Sequence, residues 1–397
     1  MPRASGVRTP RSPARANKLT MAWIVPPALE VAVRDATRAA VGDAALVQAT
    51  LIRSIVDRSQ RYTSDRARLS APTDRTADLA ARAAFFTIAD AMKIAVPIGE
   101  LVARGAMPAR RPLRVVDVGA GCGAMTLGLI AALATAPGTS DVALEVIATD
   151  RDVAALGIAA AAVKAFAFAA GVPTTFLTRP DDVVRGAVPP ADLVLVGTVL
   201  NELPAELARG VVDRALAALS DDGAVIIVEP ALRDTSRALH ALRDAVIAGG
   251  RAHVFAPCTR RTAPCPALAD VDDWCHEDRA LTLPPRTAEL SRATGLRDSG
   301  MKFSYLVLRK GPLDLVAAGP AAWRLVSAAR IAKGKHEIVG CSERGRMTLR
   351  LLRRHRTGAN RELERADRGD VVVIGDATTD AERIEVTATS TVERPAR

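Results

Sequence analysis

Three stretches of this chain carry residue types and spacings that do chemistry. The first runs Val115-Val116-Asp117-Val118-Gly119-Ala120-Gly121-Cys122-Gly123-Ala124. Glycines belong where the backbone turns sharply and a ligand must approach without meeting a Cβ. A helix starting behind such a loop offers free N–H groups to a carboxylate or a phosphate. Two ligands suit it. Gly119, Gly121 and Ala124 satisfy the dinucleotide pattern G-x-G-x-x-G/A. Asp117 with Gly119, Gly121 and Gly123 matches the hydrophobic-hydrophobic-Asp-x-Gly-x-Gly-x-Gly loop that holds S-adenosylmethionine. Asp150, at the end of the next apolar run, is placed to hold ribose hydroxyls for either ligand. Asp117 tips the choice to S-adenosylmethionine.

The second is a set of thiols. Cys258, Cys265 and Cys275 stand in a polar, Pro-rich segment, and Cys341 follows within Val339-Gly340-Cys341-Ser342. Four thiols suit a metal centre. The paired C-x-x-C knuckles of zinc ribbons are missing. Wide, irregular spacing suits a cube-shaped iron–sulfur cluster, with zinc as the alternative. Pro257 and Pro264 stiffen the loop before two of the cysteines. His276 is an alternative ligand or a partner behind one. The fifth cysteine, Cys122, sits in the glycine loop. An odd count without a secretory leader argues for a reducing compartment.

The third is Val196-Gly197-Thr198-Val199-Leu200-Asn201-Glu202-Leu203-Pro204. Asn201 and Glu202 are candidate catalytic residues that would orient a substrate; equally, they would cap the following helix. The Asn/Asp-Pro-Pro-aromatic motif of many N-methyltransferases is absent. Glu229, closing the next apolar run, is a further candidate to reach the site. Methyl transfer to a good nucleophile can rest on proximity and alignment, so no base is obligatory.

These groups need a scaffold. Apolar residues at three- and four-residue spacing predict helices through 28–54 and 76–102, with a polar loop over 57–74. From 113 to 230, strands at 113–118, 144–149, 174–177, 191–197 and 224–228 alternate with helices at 124–134, 152–170 and 205–219, and a further helix follows at 235–247. That alternation predicts a parallel, doubly wound α/β sheet. Phe303–Leu308 would close it, antiparallel to His253–Phe255. Beyond 312, short alternating runs predict a small antiparallel β unit. The expected units are a disordered basic leader (1–26), with Met21 as a possible start, and a helical N-terminal region (27–110). A methyltransferase-like domain (111–311) follows, with a cysteine-rich metal-binding insertion (256–280). A basic C-terminal β unit (312–375) and a disordered tail (376–397) complete the chain. No internal repeat is visible.

Composition narrows the partners. The 397 residues carry a net charge of +10 and 3% aromatics, too few for rows of base-stacking rings. The charge is segmental. Residues 1–20 hold five Lys/Arg and no acid; residues 301–365 hold fifteen Lys/Arg against five Asp/Glu. Such clustering suits a polyanion, with Arg350, Arg353, Arg354 and Arg356 as candidate phosphate contacts. No uninterrupted apolar run reaches the ~18 residues of a membrane span, so no membrane partner is expected.

Taken together, the residues resemble the methyltransferase-like proteins of small-ribosomal-subunit assembly, whose members include mitochondrial methyltransferase-like protein 17 and bacterial relatives. The resemblance covers about residues 27–375. It is carried by the Asp117–Gly123 loop, Leu200–Pro204, the Pro257-Cys258…Pro264-Cys265-Pro266…Trp274-Cys275-His276 run, Lys302–Lys310, and Cys341 before Gly345-Arg346. It implies a seven-strand methyltransferase-type (Rossmann-like) fold, a [4Fe–4S] cluster on Cys258, Cys265, Cys275 and Cys341, and binding to small-subunit rRNA. It also implies S-adenosylmethionine contact by Gly119, Gly121, Gly123 and Asp150, to which the loop pattern adds Asp117. Thr259-Arg260 and Glu277 depart from the family's Pro-His and aromatic at those places. The expected function is a monomeric ribosome-assembly factor that binds rRNA, with methylation of that rRNA left open, in the bacterial cytoplasm or, alternatively, the mitochondrial matrix. The alternatives are a conventional protein or small-molecule methyltransferase with structural zinc, and a pyridine-nucleotide oxidoreductase.

Overall fold

The computed structural model describes residues 23–64, 72, 74–139, 141–298, 300–311, 321–380 and 383–395. The expected leader lies outside these up to residue 22, so Met21 is not described. Its last part is ordered, against expectation: β1 (Trp23–Ile24) pairs in parallel with Leu281–Thr282, and Val25 is buried. Helices α1 (Pro27–Val41), α2 (Gln48–Ser64), α3 (Arg75–Ala81), α4 (Ile88–Asp90) and α5 (Ala95–Ala103) follow. Pro27 starts α1 with its φ already helical. Leu29, Ala32, Val33 and Ala36 then form its buried stripe. The loop expected from residue 57 begins later, because α2 continues to Ser64. Two of its polar residues pair inside the protein: Arg58 and Arg61 both bond Asp78 on α3.

The central unit comprises β2 (Leu113–Val118), α6 (Ala124–Thr135), β3 (Leu144–Asp150), α7 (Val153–Ala170), β4 (Thr174–Pro180), β5 (Ala191–Gly197), α8 (Ala205–Ala218), β6 (Leu219–Pro230), α9 (Arg233–Gly249), β7 (His253–Ala256), β8 (Glu277–Arg279), β9 (Leu281–Thr282), α10 (Pro285–Thr294) and β10 (Met301–Arg309). The sheet order is β4-β3-β2-β5-β6-β10-β7, with β8 added on β10. β10 runs antiparallel to β6, β7 and β8, and the other pairings are parallel. This is a seven-strand methyltransferase-type sheet, as expected, extended by β8. Period-two alternation splits the strands between two cores. Leu113, Val115, Leu193 and Leu195 face α1, α6 and α7, whereas Val116, Val118, Val194 and Val196 face α8 and α9.

Helix α7 is long and apolar enough to cross a membrane, with 18 residues of mean hydropathy 2.0. A search for unbroken apolar runs misses it because Lys164 interrupts it. Here its Ala155, Leu156, Ala159, Ala162, Val163 and Phe166 stripe is buried in the protein core.

The C-terminal unit has its own core around Trp323, Leu349 and Val372. It contains β11 (Ala322–Leu325), β12 (Arg330–Ala332), β13 (Lys335–Ser342), β14 (Gly345–Leu352), α11 (Glu362–Arg365), β15 (Val371–Gly375), β16 (Thr378–Thr379), β17 (Arg383–Val386) and β18 (Thr391–Glu393). The order is β16-β17-β14-β13-β11-β15-β18, with β12 on β13. Two expectations are corrected. Where residues 376–397 are described they are not a disordered tail, since they supply β16, β17 and β18, and Ile384, Val386 and Val392 of the last two fill the core. The sheet is not wholly antiparallel either, because β17 pairs in parallel with β14. β17 and β18 bury only alternate residues, so Arg383-Ile384-Glu385-Val386 reads as polar until its partner is known.

Candidate functional site

Ligands of open α/β sheets bind beyond the carboxyl ends of the strands, where the strand order reverses. That switch falls between β2 and β5, so the glycine loop and the 198–203 turn stand side by side. Their contact is tight: a Cβ on Gly119 would lie 2.5 Å from Val199 Cγ2. Gly123, left-handed at φ 87°, caps α6, and a Cβ there would come 3.1 Å from Ala159. Gly119 and Gly123 are thus fixed by packing. Gly121 differs, because a Cβ there meets only Arg82, whose Nη2 is 3.5 Å away.

Asp117 and Asp150 take different positions. Asp117 is buried under the loop, where its Oδ2 accepts from the Thr126 hydroxyl at 2.7 Å. Burial raises its carboxyl to about 6, against the hydrogen bonds from Thr126. Its Oδ1 has no partner. Asp117 therefore ties β2 to the first turn of α6, and its place is beneath the ligand surface. Asp150 sits at the loop rim, accepting from Gly121 N at 2.9 Å and Asp152 N at 2.8 Å.

On the other side of the switch, Thr198 holds φ 61°, a left-handed conformation that a β-branched residue rarely adopts. The turn is held from below. Glu229 Oε1 accepts from Leu200 N at 2.8 Å and Val199 N at 3.2 Å. Burial pushes this carboxyl up to about 8 despite those bonds, and Oε2 has no partner. Asn201 and Glu202 do not cap the next helix, since α8 starts at Pro204 with no side-chain cap. Glu202 instead accepts from the Tyr62 hydroxyl at 3.0 Å. The Asn201 amide lies beside that hydroxyl, and its own oxygen and nitrogen are buried without hydrogen-bond geometry. Tyr62, which sequence reasoning missed, comes from α2 and gives no local signal beyond being one of two tyrosines.

Cys258, Cys265, Cys275 and Cys341 line one cavity of about 50 Å³, shared with His240, Arg243, His276 and Arg346. One water needs about 10–15 Å³, so the space exceeds a single small group. Cys122 is elsewhere, buried in the glycine loop. Among the described residues, no group of three or more His, Cys, Asp or Glu is set to hold one metal ion. The backbone around the thiols is anchored throughout. Cys265 N donates to Asp244 Oδ2 at 2.7 Å, Cys275 N to His240 Nε2 at 3.0 Å, and Thr259 Oγ1 to the Cys341 carbonyl at 3.1 Å. Burial and the neighbouring Cys258 raise the thiols of Cys265, Cys275 and Cys341, the last to about 12. His240 and His276 are each pushed down to about 4, first by burial, then by Arg243 and Arg368 respectively. Neutral histidines can accept hydrogen bonds, as His240 does. The residues departing from the family pattern have work here: Arg260 donates to the Glu343 carbonyl, and Glu277 pairs with Arg279 at 2.9 Å.

The four arginines proposed for phosphate divide. Arg350 pairs with Glu385 and Glu337, and Arg356 with Glu364. Arg353 and Arg354 are exposed and have no carboxylate partner among the described residues.

Comparison with curated proteins gave no match. Among solved structures the chain is similar to magnesium protoporphyrin IX methyltransferase from Synechocystis PCC 6803 with bound SAM. The identity is 13%, the coverage 65% of this chain and 97% of that one, and the TM-score 0.34. An O-methyltransferase family protein from Burkholderia thailandensis shows 17% identity, coverage of 66% and 72%, and a TM-score of 0.33. For the pyocyanin biosynthetic protein PhzM the values are 18%, 62% and 61%, and 0.31. These likenesses are weak, and the fold assignment rests on the strand order. A family match is stronger and spans the glycine loop, all four cavity cysteines and most of the C-terminal unit: over residues 92–372 the chain matches the model described as mitochondrial small ribosomal subunit Rsm22, and the protein belongs to that family.

Proposed function

We propose that this protein is a methyltransferase-like assembly factor of the small ribosomal subunit. In this reading it binds S-adenosylmethionine at the sheet's switch point and a [4Fe–4S] cluster on Cys258, Cys265, Cys275 and Cys341. It contacts small-subunit rRNA through the basic C-terminal unit and acts as a monomer. The observation that carries the reading is the meeting of Cys341 with three insertion cysteines in one cavity, on a methyltransferase sheet. Family membership names the ribosomal context.

The residues fit both groups. At the cofactor site, Gly121 and the N-terminus of α6 present backbone, and Asp150 waits at the rim. S-adenosylmethionine supplies an electrophilic methyl group when bound. Asn201 and Glu202 would orient an acceptor, rRNA being the favoured one, on a turn that Glu229 holds. At the thiol cavity, four sulfurs around one metal ion would sit within about 4 Å of one another, given Zn–S bonds near 2.3 Å. A polynuclear cluster takes its thiolates on separate irons, so the four sulfurs need not meet around one ion. The compartment follows the ribosome served: the bacterial cytoplasm, or the mitochondrial matrix that the family description favours.

Anaerobic purification with iron, sulfide and zinc analysis, calorimetry with S-adenosylmethionine and NAD, and co-sedimentation with small subunits test this. Iron with sulfide, S-adenosylmethionine binding and co-sedimentation are expected. Zinc without sulfide would replace the cluster, NAD binding would replace the cofactor, and no co-sedimentation would remove the ribosomal role.

A further inference from the structure

The glycine loop has a cation over it that its sequence does not announce. Between α3 and α4 the chain forms a π-helical turn, Arg82–Thr87. Such turns re-aim side chains and recur at functional sites. This one sends Arg82 across to the loop. Its Nη2 is 3.5 Å from the point where a Gly121 Cβ would stand. Its Nη1 donates to Asp152, the N-cap of α7. Both the thiol of Cys122 and the carboxylate of Asp150 lie near enough to act on it electrostatically.

The three glycines locate the open ground. Gly119 is closed by Val199 and Gly123 by Ala159, both parts of the packed body. Only Gly121 faces space bordered by a movable side chain. Asp150 marks the ribose end, being tied to Gly121 N and Asp152 N. Arg82 borders the same ground beside Asp152, and beyond its Nη1 bond to that residue the guanidinium carries further N–H donors. A guanidinium presents a planar fork of donors that matches a carboxylate in bidentate geometry. The N-terminus of α6 adds backbone donors beside it.

We propose that Arg82 binds the carboxylate on the amino-acid half of S-adenosylmethionine. This rests on the S-adenosylmethionine reading of the loop and adds the residue that selects the zwitterionic end of the ligand. Arg82 belongs to the helical N-terminal region, so that region completes the cofactor site as well as covering the sheet. A pyrophosphate would meet the same cation, which makes NAD the competing occupant.

The test is calorimetry on the full chain with S-adenosylmethionine, with methylthioadenosine, which lacks the amino-acid half, and with NAD. Wild type is expected to bind S-adenosylmethionine more tightly than methylthioadenosine. Arg82→Gln should weaken S-adenosylmethionine about 10- to 100-fold, the usual range for losing a charged hydrogen-bond pair. It should leave methylthioadenosine affinity within about twofold, which also reports an intact loop. Arg82→Lys keeps the charge without the fork and should fall between the two. Equal loss for both ligands in Arg82→Gln would make the arginine a structural support and overturn the proposal, as would no loss for either. A wild type that binds NAD instead, or neither adenosine ligand, would overturn the cofactor reading and this proposal with it.

Discussion

Glu229 on β6 and Ser304 on β10 stand opposite each other across an antiparallel ladder. Directly opposed side chains emerge on the same face of a sheet. Each of these two serves a different site. Glu229 holds the turn of Val199 and Leu200 at the switch point of the sheet. Ser304 donates to the Cys275 carbonyl at 2.9 Å and shares a 2.7 Å hydrogen bond with Ser236 on α9. One register position therefore borders both the switch-point turn and the thiol cavity.

Glu229 should make the fold sensitive to alkali. Burial raises its carboxyl from 4.5 to about 8, so the folded state holds a proton that the unfolded state releases between those values. Its contribution is fully present below pH 4.5 and is lost as pH rises through 8. Glu229→Gln keeps an acceptor for the backbone and cannot ionise. Melting curves across pH 5–9 should show a smaller decline for the variant than for wild type; parallel declines would remove Glu229 as the cause.

The opposite sign holds for Glu100. Burial alone would raise it, but Arg324, at 2.7 and 2.9 Å, holds its carboxyl down at about 2. This pair fastens β11 of the C-terminal unit to α5. Its stabilisation is present above pH 4.5 and is lost as pH falls towards 2. Glu100→Ala strands a buried guanidinium, a loss of about 3–5 kcal/mol for such pairs. Trp323, beside Arg324 and 1% exposed, reports the change. Its fluorescence should shift early in denaturant for the variant, and an unaltered Trp323 transition would show that the pair does not fasten this unit.

Cys341→Ser should lower bound iron while S-adenosylmethionine binding stays, because the thiol cavity and the glycine loop are separate. The C-terminal unit should become more open to protease without detaching. Thr262 still bonds Glu343 at 2.9 Å, and Arg368 still bonds the His276 carbonyl at 3.0 Å. Cys122→Ser should leave iron unchanged. Equal iron in wild type and Cys341→Ser would take Cys341 out of the ligand set.

Arg353 and Arg354 should act differently from Arg350 on RNA. If both exposed residues contact phosphate, as the rRNA proposal has it, replacing them with Gln flattens the slope of log affinity against log salt by about 1.4–1.8. Arg350→Gln breaks ion pairs across β13, β14 and β17 and should lower stability with little change in slope. If Arg350→Gln flattens the slope while the double variant does not, the phosphate-binding surface lies on the other face of β14.

The sequence by itself determined the elements and the chemistry that depends on local pattern. Strands Leu113–Val118 and Ala191–Gly197 are bounded as their apolar runs predict, because hydrophobic runs ending in glycine are local signals. The glycine loop, Asp150 and the cysteines are legible for the same reason: their residue types and spacing suffice. Tertiary structure decided what those residues face. Asp117 reads as a cofactor residue, yet Thr126 claims it beneath the loop. Arg350 reads as a phosphate contact, yet Glu385 and Glu337 stand beside it across two strand pairings. Arg82, Tyr62, His240 and Arg243 carry no signal at all, since each reaches its site from an element distant in sequence. Residues 383–386 and 391–393 look like a tail because alternate burial leaves half of each strand polar. Only the pairing with β14 and β15 reveals that the other half is core.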